Sequence, residues 1–439
     1  VSVGVTICED LWNDKGSDDY NYVNNPADQY RRAGAKVLLS LNSSPYILDK
    51  GWQRARMIAD GNDADVTVVY VNQRGGQDEL VFDGQSFVIR GQDLLHLSTE
   101  VFEDSYDIVD LGAEPVVHDV PARRDTVRAL GVSLYDLLTL CLRDYTTKSG
   151  FSELVLASSG GVDSAVVCLL AAAAVGPDRV HAVRMPSKFS SAHSRRDAQA
   201  LHANLGCWDY EVPIDHDLVV QMLAQHYETH PSASNLVQRA TQANQASVAN
   251  ENIQARLRDL YVMHFSNAYG AMPLSTGNKT ESACGYYTHF DMNFSFAPIK
   301  DLLKFQVASL ARAASEVPDS IWQKPPSAEL RPDQTDEESL LPYAVLDPIV
   351  KSYVEDYVST LSGMTDWAGV MRNEGVQVTN DNARLDAWLA GDAAESDHDR
   401  VIRLIGRMEF KRRQTCPGTK VSRVAFGIGR RIPIVEKWS

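Results

Sequence analysis

The sequence has 439 residues, enough for two or three domains with sizeable cores. Its 44% hydrophobic and 23% charged content is ordinary for a globular chain and excludes a low-complexity or disordered one. A formal net charge of −16 argues against a surface that coats nucleic acid, and leaves room only for local basic pockets. Cys8, Cys141, Cys168, Cys207, Cys284 and Cys416 lie far apart with no CxxC pair, so neither a disulfide framework nor a zinc ribbon is indicated. No apolar run approaches the roughly 20 residues of a membrane span. A cytoplasmic chain with no membrane or nucleic-acid partner is therefore expected.

In chain order, Val1 to Ile7 alternates and is rich in β-branched residues, which predicts a strand. It ends at Cys8-Glu9-Asp10-Leu11-Trp12. A cysteine at a strand tip acts as a nucleophile when a base and a cation lie nearby, whereas a lone cysteine is ordinarily a buried structural residue. The chain opens inside this run with Val rather than Met, so an incomplete N-terminus is expected. Gly34 to Leu41 reads as a second strand ending at Asn42-Ser43-Ser44-Pro45, and Gln53 to Ala59 as a helix. Val66 to Val71 follows as a third strand, Asn72 to Asp78 as a polar turn, and Leu80 to Arg90 as a hairpin arm.

The strings C-E-D-L-W, L-N-S-S-P and N-Q-R-G-G-Q-D-E-L-V-F-D-G-Q-S, with Lys50, resemble the C-terminal part of a nitrilase-type amidase domain. The resemblance implies that Cys8 attacks the side-chain amide of glutamine and releases ammonia, while Ser44 and Lys50 hold the glutamine. The family's general-base Glu and its Lys lie upstream of the cysteine, where this sequence has only seven residues. The expected consequence is a partial αββα sandwich that exposes apolar strand surface. Residues 1–115 are assigned to this domain and 116–125, with a proline and mixed charge, to a linker.

Leu130 to Tyr145 has helical spacing. Leu154 to Ala174 is the stretch around which the remaining chain is organised: a short apolar run reads as a buried strand and an Ala/Leu/Val run as a helix. Ser159-Gly160-Gly161-Val162-Asp163-Ser164 joins them. Two glycines permit a tight turn that brings backbone N–H groups to an anion, and the helix N-terminus adds partial positive charge. Asp163 would repel a bare phosphate, and makes sense if it holds Mg²⁺ against one. An ordinary strand–turn–helix corner is the plain alternative. The string lacks the lysine of a Walker loop. It resembles the pyrophosphate loop of the ATP pyrophosphatases, which by itself leaves NAD, GMP, asparagine and argininosuccinate synthetases and some tRNA-modifying enzymes open.

Arg179 to Arg184 reads as the next strand, Ser194 to Leu205 as a helix and Val212 to Asp215 as a short strand, giving a parallel sheet. Asn252-Ile253-Gln254-Ala255-Arg256-Leu257-Arg258 lies in a polar helical segment, with Asn252 and Arg256 at i, i+4. A strand end at Pro273 to Thr276 precedes Gly277-Asn278-Lys279-Thr280-Glu281. Gly285-Tyr286-Tyr287-Thr288, Lys304, Lys324-Pro325-Pro326-Ser327 and Glu409-Phe410-Lys411-Arg412-Arg413-Gln414 follow. The acidic, Ala-rich stretch from Asn373 to Asp399 reads as a surface insertion.

In this order the strings are similar to the synthetase domain of the glutamine-dependent NAD synthetases, assigned to 126–439. The resemblance implies an α/β fold: a partial nitrilase-type sandwich followed by a Rossmann-like parallel-sheet ATP pyrophosphatase domain. It implies adenylylation of deamido-NAD by ATP and attack by ammonia, with a homo-oligomer formed through synthetase-domain dimers. Ser159, Gly160, Gly161, Val162, Asp163, Ser164, Thr276, Lys304 and Ser327 would bind ATP. Asp163 and Glu281 would ligate Mg²⁺. Asn252, Arg256, Glu281, Tyr286, Tyr287, Thr288, His289 and Lys411 would bind deamido-NAD. The run His289 to Ser295 departs from the family pattern, with Phe290 and Phe294 and no glycines. The alternatives are an ammonia-only synthetase that keeps an amidase remnant, and a glutamine-dependent GMP synthetase.

Overall fold

A computed structural model of the chain describes residues 2–11, 24–228, 245–288 and 294–434. The chain divides into two compact units, Val1–Tyr145 and Thr146–Ser439.

In the first unit, β1 (Val3–Ile7), β2 (Val37–Asn42) and β3 (Thr67–Asn72) run parallel, and β6 (Phe87–Arg90) and β7 (Asp93–Leu97) add antiparallel, in the order β1-β2-β3-β6-β7. Leu38, Val68, Tyr70 and Ile89 point into a core closed by the helix Lys50–Asp60. Gly4 is required there, because a Cβ would stand 2.7 Å from both Leu38 and Tyr30 side chains. The opposite face carries Val3, Val5, Ile7, Leu39, Leu41 and Val71, with Ile7 64% and Leu41 52% exposed. The expected apolar strand surface is therefore present.

Three readings of this unit differ from the structure. The expected turn at 72–78 contains a strand, β4 (Arg74–Gln77), which pairs with β5 (Leu80–Asp83) in a sheet of two. The arm from Leu80 to Arg90 thus splits between two sheets. The stretch 116–125 is packed rather than extended, with Val117 and Val120 buried in the same core as Leu38. The unit then continues into the helix Leu134–Lys148.

In the second unit, β8 (Leu154–Ala157), β9 (Val180–Arg184), β10 (Trp208–Glu211) and β11 (Met272–Leu274) form a parallel sheet in the order β10-β9-β8-β11. The strand expected at Val212–Asp215 lies four residues earlier, as β10. Helices Val162–Val175 and Ala192–Leu205 make the crossovers from β8 to β9 and from β9 to β10. The strand order reverses direction at β8, so a crevice opens beyond the C-terminal ends of β8 and β11, the usual ligand position in such sheets.

The remaining chain is helical and packs around the helix Tyr343–Asp356 through Leu346, Ile349, Val350 and Val354. Pro348 within that helix cannot bond the carbonyl four residues back. The Thr379 hydroxyl donates to that freed Ala344 oxygen at 2.8 Å. The stretch 373–399 is accordingly no loose insertion: Val378 and Leu385 are buried, and Trp388 packs on the core. All six cysteines are free thiols, and among the described residues no helix is long and apolar enough to cross a membrane.

Candidate active site

The loop after β8 is shaped by its own side chains. Gly161 N donates to Ser159 Oγ at 3.1 Å, and Ser164 Oγ donates to Gly161 O at 3.0 Å. Gly160 has φ +79°, and a Cβ there would lie 2.2 Å from the Ser194 carbonyl oxygen. No other residue fits without moving backbone. Lys324 closes the loop from outside, donating to Gly160 O at 2.6 Å and Ser194 Oγ at 3.0 Å.

The loop after β11 meets it. Asn278 caps the short helix Lys279–Cys284 in a reciprocal box with Glu281, its Oδ1 accepting from Glu281 N at 2.9 Å. The same side chain donates through Nδ2 to Asp163 Oδ1 at 2.8 Å. Lys304 Nζ then joins both carboxylates, pairing with Asp163 and, at 3.0 Å, with Glu281 Oε1. Burial pushes the Glu281 carboxyl up, against the pull of Lys304 and with a further push from Asp163. Burial works against the Lys304 charge, but Asp163 and Glu281 outweigh it and hold the ammonium protonated.

Lys304 is fixed from behind. Buried Asp347 accepts from Phe305 N at 2.8 Å, Lys304 N at 3.3 Å and Thr280 Oγ1 at 2.5 Å, tying three helices at one carboxylate. Lys279 points away into the core, where it meets Asp301 at 3.0 Å and Glu355 at 2.8 Å.

Asp163, Glu281, Lys304 and Lys324 line a cavity of about 770 Å³. Of the predicted residues, Ser159, Gly161, Val162, Asp163, Ser164, Asn252, Thr276, Glu281, Tyr286, Tyr287, Thr288, Lys304, Ser327 and Lys411 are in its wall. Thr288 Oγ1 donates to Asn252 Oδ1 at 2.8 Å. Lys411 donates to the Gly285 and Tyr287 carbonyls at 2.7 Å each, and burial lowers its pKa. Gly160 stands behind the wall, bonded by Lys324. Arg256 is exposed and does not line this cavity. His289 lies outside the described residues.

Several site residues were missed. Asn278, which stands behind the wall and bonds Asp163, had a readable signal in the N-x-x-E capping pattern. Asp336, Tyr343, Asp381 and Arg384 come from helical segments far along the chain, and nothing in their local sequence marks them. Ala157, Val183, Met185 and Ala198 supply apolar wall to the cavity next to the loop after β8.

In the first unit, Cys8 sits at the end of β1 with φ +48°, a strained turn from strand to 3₁₀ helix. Ile7 pairs with Leu41, so the segments that carry Cys8 and Ser44 leave the sheet at the same edge. Ser44 is held by buried Arg54, which donates to its carbonyl at 2.7 Å and its hydroxyl at 3.2 Å. Arg54 Nη1 donates to both Asp83 carboxylate oxygens at 2.8 Å, both side chains fully buried. Lys50 opens the next helix.

The comparisons with known proteins agree with this layout. The NAD synthase family model matches residues 134–378. The chain is 35% identical over 449 residues to the glutamine-dependent NAD(+) synthetase of Synechocystis, covering 99% of this chain and 73% of that one. It is also 35% identical over 452 residues to the enzyme of that name in Xanthomonas campestris, covering 100% and 73%. The solved glutamine-dependent NAD⁺ synthetase of Acinetobacter baumannii, in complex with ADP, superposes with a TM-score of 0.60 at 29% identity, covering 100% of this chain and 73% of that one.

Proposed function

The chain belongs to the NAD synthase family, and from that premise we propose that its second unit amidates deamido-NAD to NAD at the expense of ATP, with glutamine as the source of ammonia. The observation that carries this reading is the convergence of Asp163, Glu281 and Lys304 at the phosphate loop of a cavity large enough for a nucleotide.

In this reading, the loop Ser159 to Ser164 receives the pyrophosphate end of ATP, and the apolar wall at Ala157, Val183 and Met185 takes the adenine. Thr276, Lys304 and Ser327 complete the ATP site. The donor set at the loop suits Mg²⁺. Asp163 and Glu281 offer hard carboxylate oxygens, and among the described residues no third acidic or His ligand completes a protein cage. Mg²⁺ typically keeps waters and substrate phosphates beside one or two carboxylates. When bound it would neutralise charge on the departing pyrophosphate.

The work of the chain is positioning and charge neutralisation. Lys304, held protonated, would counter the phosphate charge as the nicotinate carboxylate attacks the α-phosphorus. Lys411 bonds the Gly285 and Tyr287 carbonyls, lies over the Tyr287 ring at 5.3 Å and pairs with no carboxylate among the described residues, so its charge is available to an anionic part of deamido-NAD. Asn252 and Thr288 offer a fixed donor–acceptor pair, and Tyr286, Tyr287 and Glu281 line the same side. Ammonia then attacks the acyl adenylate, giving the amide and AMP. Arg256, exposed here, meets deamido-NAD only if a second protomer brings the nucleotide to that face, which fits a dimer of synthetase domains. In the first unit, Cys8 is the proposed nucleophile for glutamine, with Ser44 and Lys50 as glutamine contacts. The six free thiols suit a cytoplasmic setting.

The test is NAD and AMP formation from deamido-NAD and ATP with Mg²⁺, using ammonium or glutamine. Ammonium should support this chain, and in a protein that includes the upstream Glu and Lys expected above, Cys8→Ala should lose only the glutamine reaction. Absence of turnover with ammonium would refute the assignment of the second unit.

A further inference from the structure

Behind the phosphate loop, outside the residues assigned to the reaction, Ser158, His202 and Asp209 form a chain of hydrogen bonds. Ser158 Oγ is 2.8 Å from His202 Nε2, and His202 Nδ1 is 2.7 Å from Asp209 Oδ1. Arg184 clamps the same carboxylate with bonds of 2.7 and 2.8 Å, and also pairs with Glu211. The chain joins the ends of β8, β9 and β10 to the helix Ala192–Leu205. Ser158 and His202 are only 3% and 1% exposed, yet Ser158 belongs to the cavity wall.

The direction of each proton follows from the partners. Asp209 can only accept, and although burial pushes its pKa up, Arg184 and His202 hold its carboxyl below the usual range. His202 Nδ1 must therefore carry the proton that points at Asp209. Burial lowers the His202 pKa, against the pull of Asp209, which favours the neutral ring. Its Nε2 then presents a lone pair, and the Ser158 hydroxyl donates into it. With its single proton turned inward, the hydroxyl has only lone pairs left for the cavity.

We propose that Ser158 is a hydrogen-bond acceptor for the adenosine part of ATP, and that His202 and Asp209 are positioning residues that fix its proton. The proposal rests on the ATP site described above. The donors that adenosine offers are its exocyclic amine and its ribose hydroxyls. Hydrolases use the same three residue types to activate a serine nucleophile. Here the serine N–H is bonded to Val183 O at 2.9 Å in continuation of the sheet, and its φ is not left-handed, so the strained exposure of a nucleophile is missing.

The experiment uses the full chain with Ser158→Ala, His202→Leu, His202→Gln and the Ser158→Ala/His202→Leu double variant. Ser158→Ala should raise KM for ATP about five- to tenfold, the worth of one hydrogen bond, with kcat nearly unchanged. His202→Leu should do the same and the double variant no worse, because both remove one interaction. His202→Gln, which keeps an acceptor for the serine, should recover most of the affinity. With 2′-deoxy-ATP, 3′-deoxy-ATP or purine riboside triphosphate, the analogue that lacks the relevant donor should show equal KM in wild type and Ser158→Ala. An unchanged KM in Ser158→Ala, additive penalties in the double variant, or labelling of Ser158 by a fluorophosphonate would each overturn the proposal. If ATP gives wild type neither turnover nor a thermal shift, the ATP site itself fails, and the proposal fails with it. Saturable ATP use with an indifferent Ser158 refutes the acceptor alone.

Discussion

Replacing Lys304 by Met removes the ammonium that Asp163 and Glu281 share while keeping most of the side-chain volume. The three side chains are 7%, 16% and 18% exposed, so neither carboxylate left behind is well hydrated. Truncating one partner of a buried ion pair costs about 3–5 kcal/mol. Residual exposure, and the Asn278 bond to Asp163 at 2.8 Å, place this case at the lower end. That cost falls on folding stability; the loss in rate follows from removing one preorganised donor aimed at the developing phosphate charge, about a hundredfold. Part of the loss will appear as protonation of Glu281, whose carboxyl burial already raises and whose opposing pull from Lys304 would be gone. The expected result is a fall of about a hundredfold in kcat/KM for ATP at pH 7, with partial recovery toward pH 9 as Glu281 ionises. AMP release at both pH values, with thermal unfolding alongside, measures it. A variant with wild-type kcat/KM and an unaltered pH profile would refute the role given to this triad.

Three other perturbations test separate parts of the structure. Gly160→Ala forces a Cβ to 2.2 Å from Ser194 O at φ +79°, so ATP binding should be lost while Tm falls by only a few degrees; isothermal titration with ATP checks it. Arg54→Met leaves Asp83 buried and unpaired, and should destabilise the first unit by about 3–5 kcal/mol and loosen Ser44, read by denaturant unfolding and, in a protein that includes the upstream Glu and Lys, by loss of the glutamine reaction. Asp347 has its pKa raised by burial from 3.8 to about 6, so the native state binds the extra proton between those values. Its contribution to stability therefore falls as pH rises from about 4 to about 6, by on the order of 3 kcal/mol. Asp347→Asn should remove that slope, and Tm of both proteins across this range decides the matter.

Much of this molecule was legible because its signals are local. The apolar run into Ser159–Ser164 specifies a strand, a turn that needs glycine, and a buried helix, and the structure has each of them. The strand β4 was misread because Gly75 and Gly76 are turn residues by local preference, whereas here they allow the close packing that a Cβ would obstruct, 3.0 Å from Cys141 at Gly76. Arg256 was grouped with Asn252 on i, i+4 spacing. The residues of that helix that face the cavity are Val248, Glu251, Asn252, Ala255, Arg258 and Asp259, and at 100° per residue Arg256 falls just beyond their arc. The supports of the site were not readable at all. Asp347, 43 positions from Lys304, and Thr379, 35 from Ala344, act through long-range hydrogen bonds with no periodic trace.

The central claim, that the nicotinate carboxylate is activated as an adenylate in this cavity, is tested most directly by isotope transfer. Deamido-NAD carrying ¹⁸O in that carboxylate would be turned over with ATP and ammonium, and the products analysed by mass spectrometry. The account predicts one labelled oxygen in AMP and none in pyrophosphate. Label in inorganic phosphate alongside ADP, or unlabelled AMP, would contradict it.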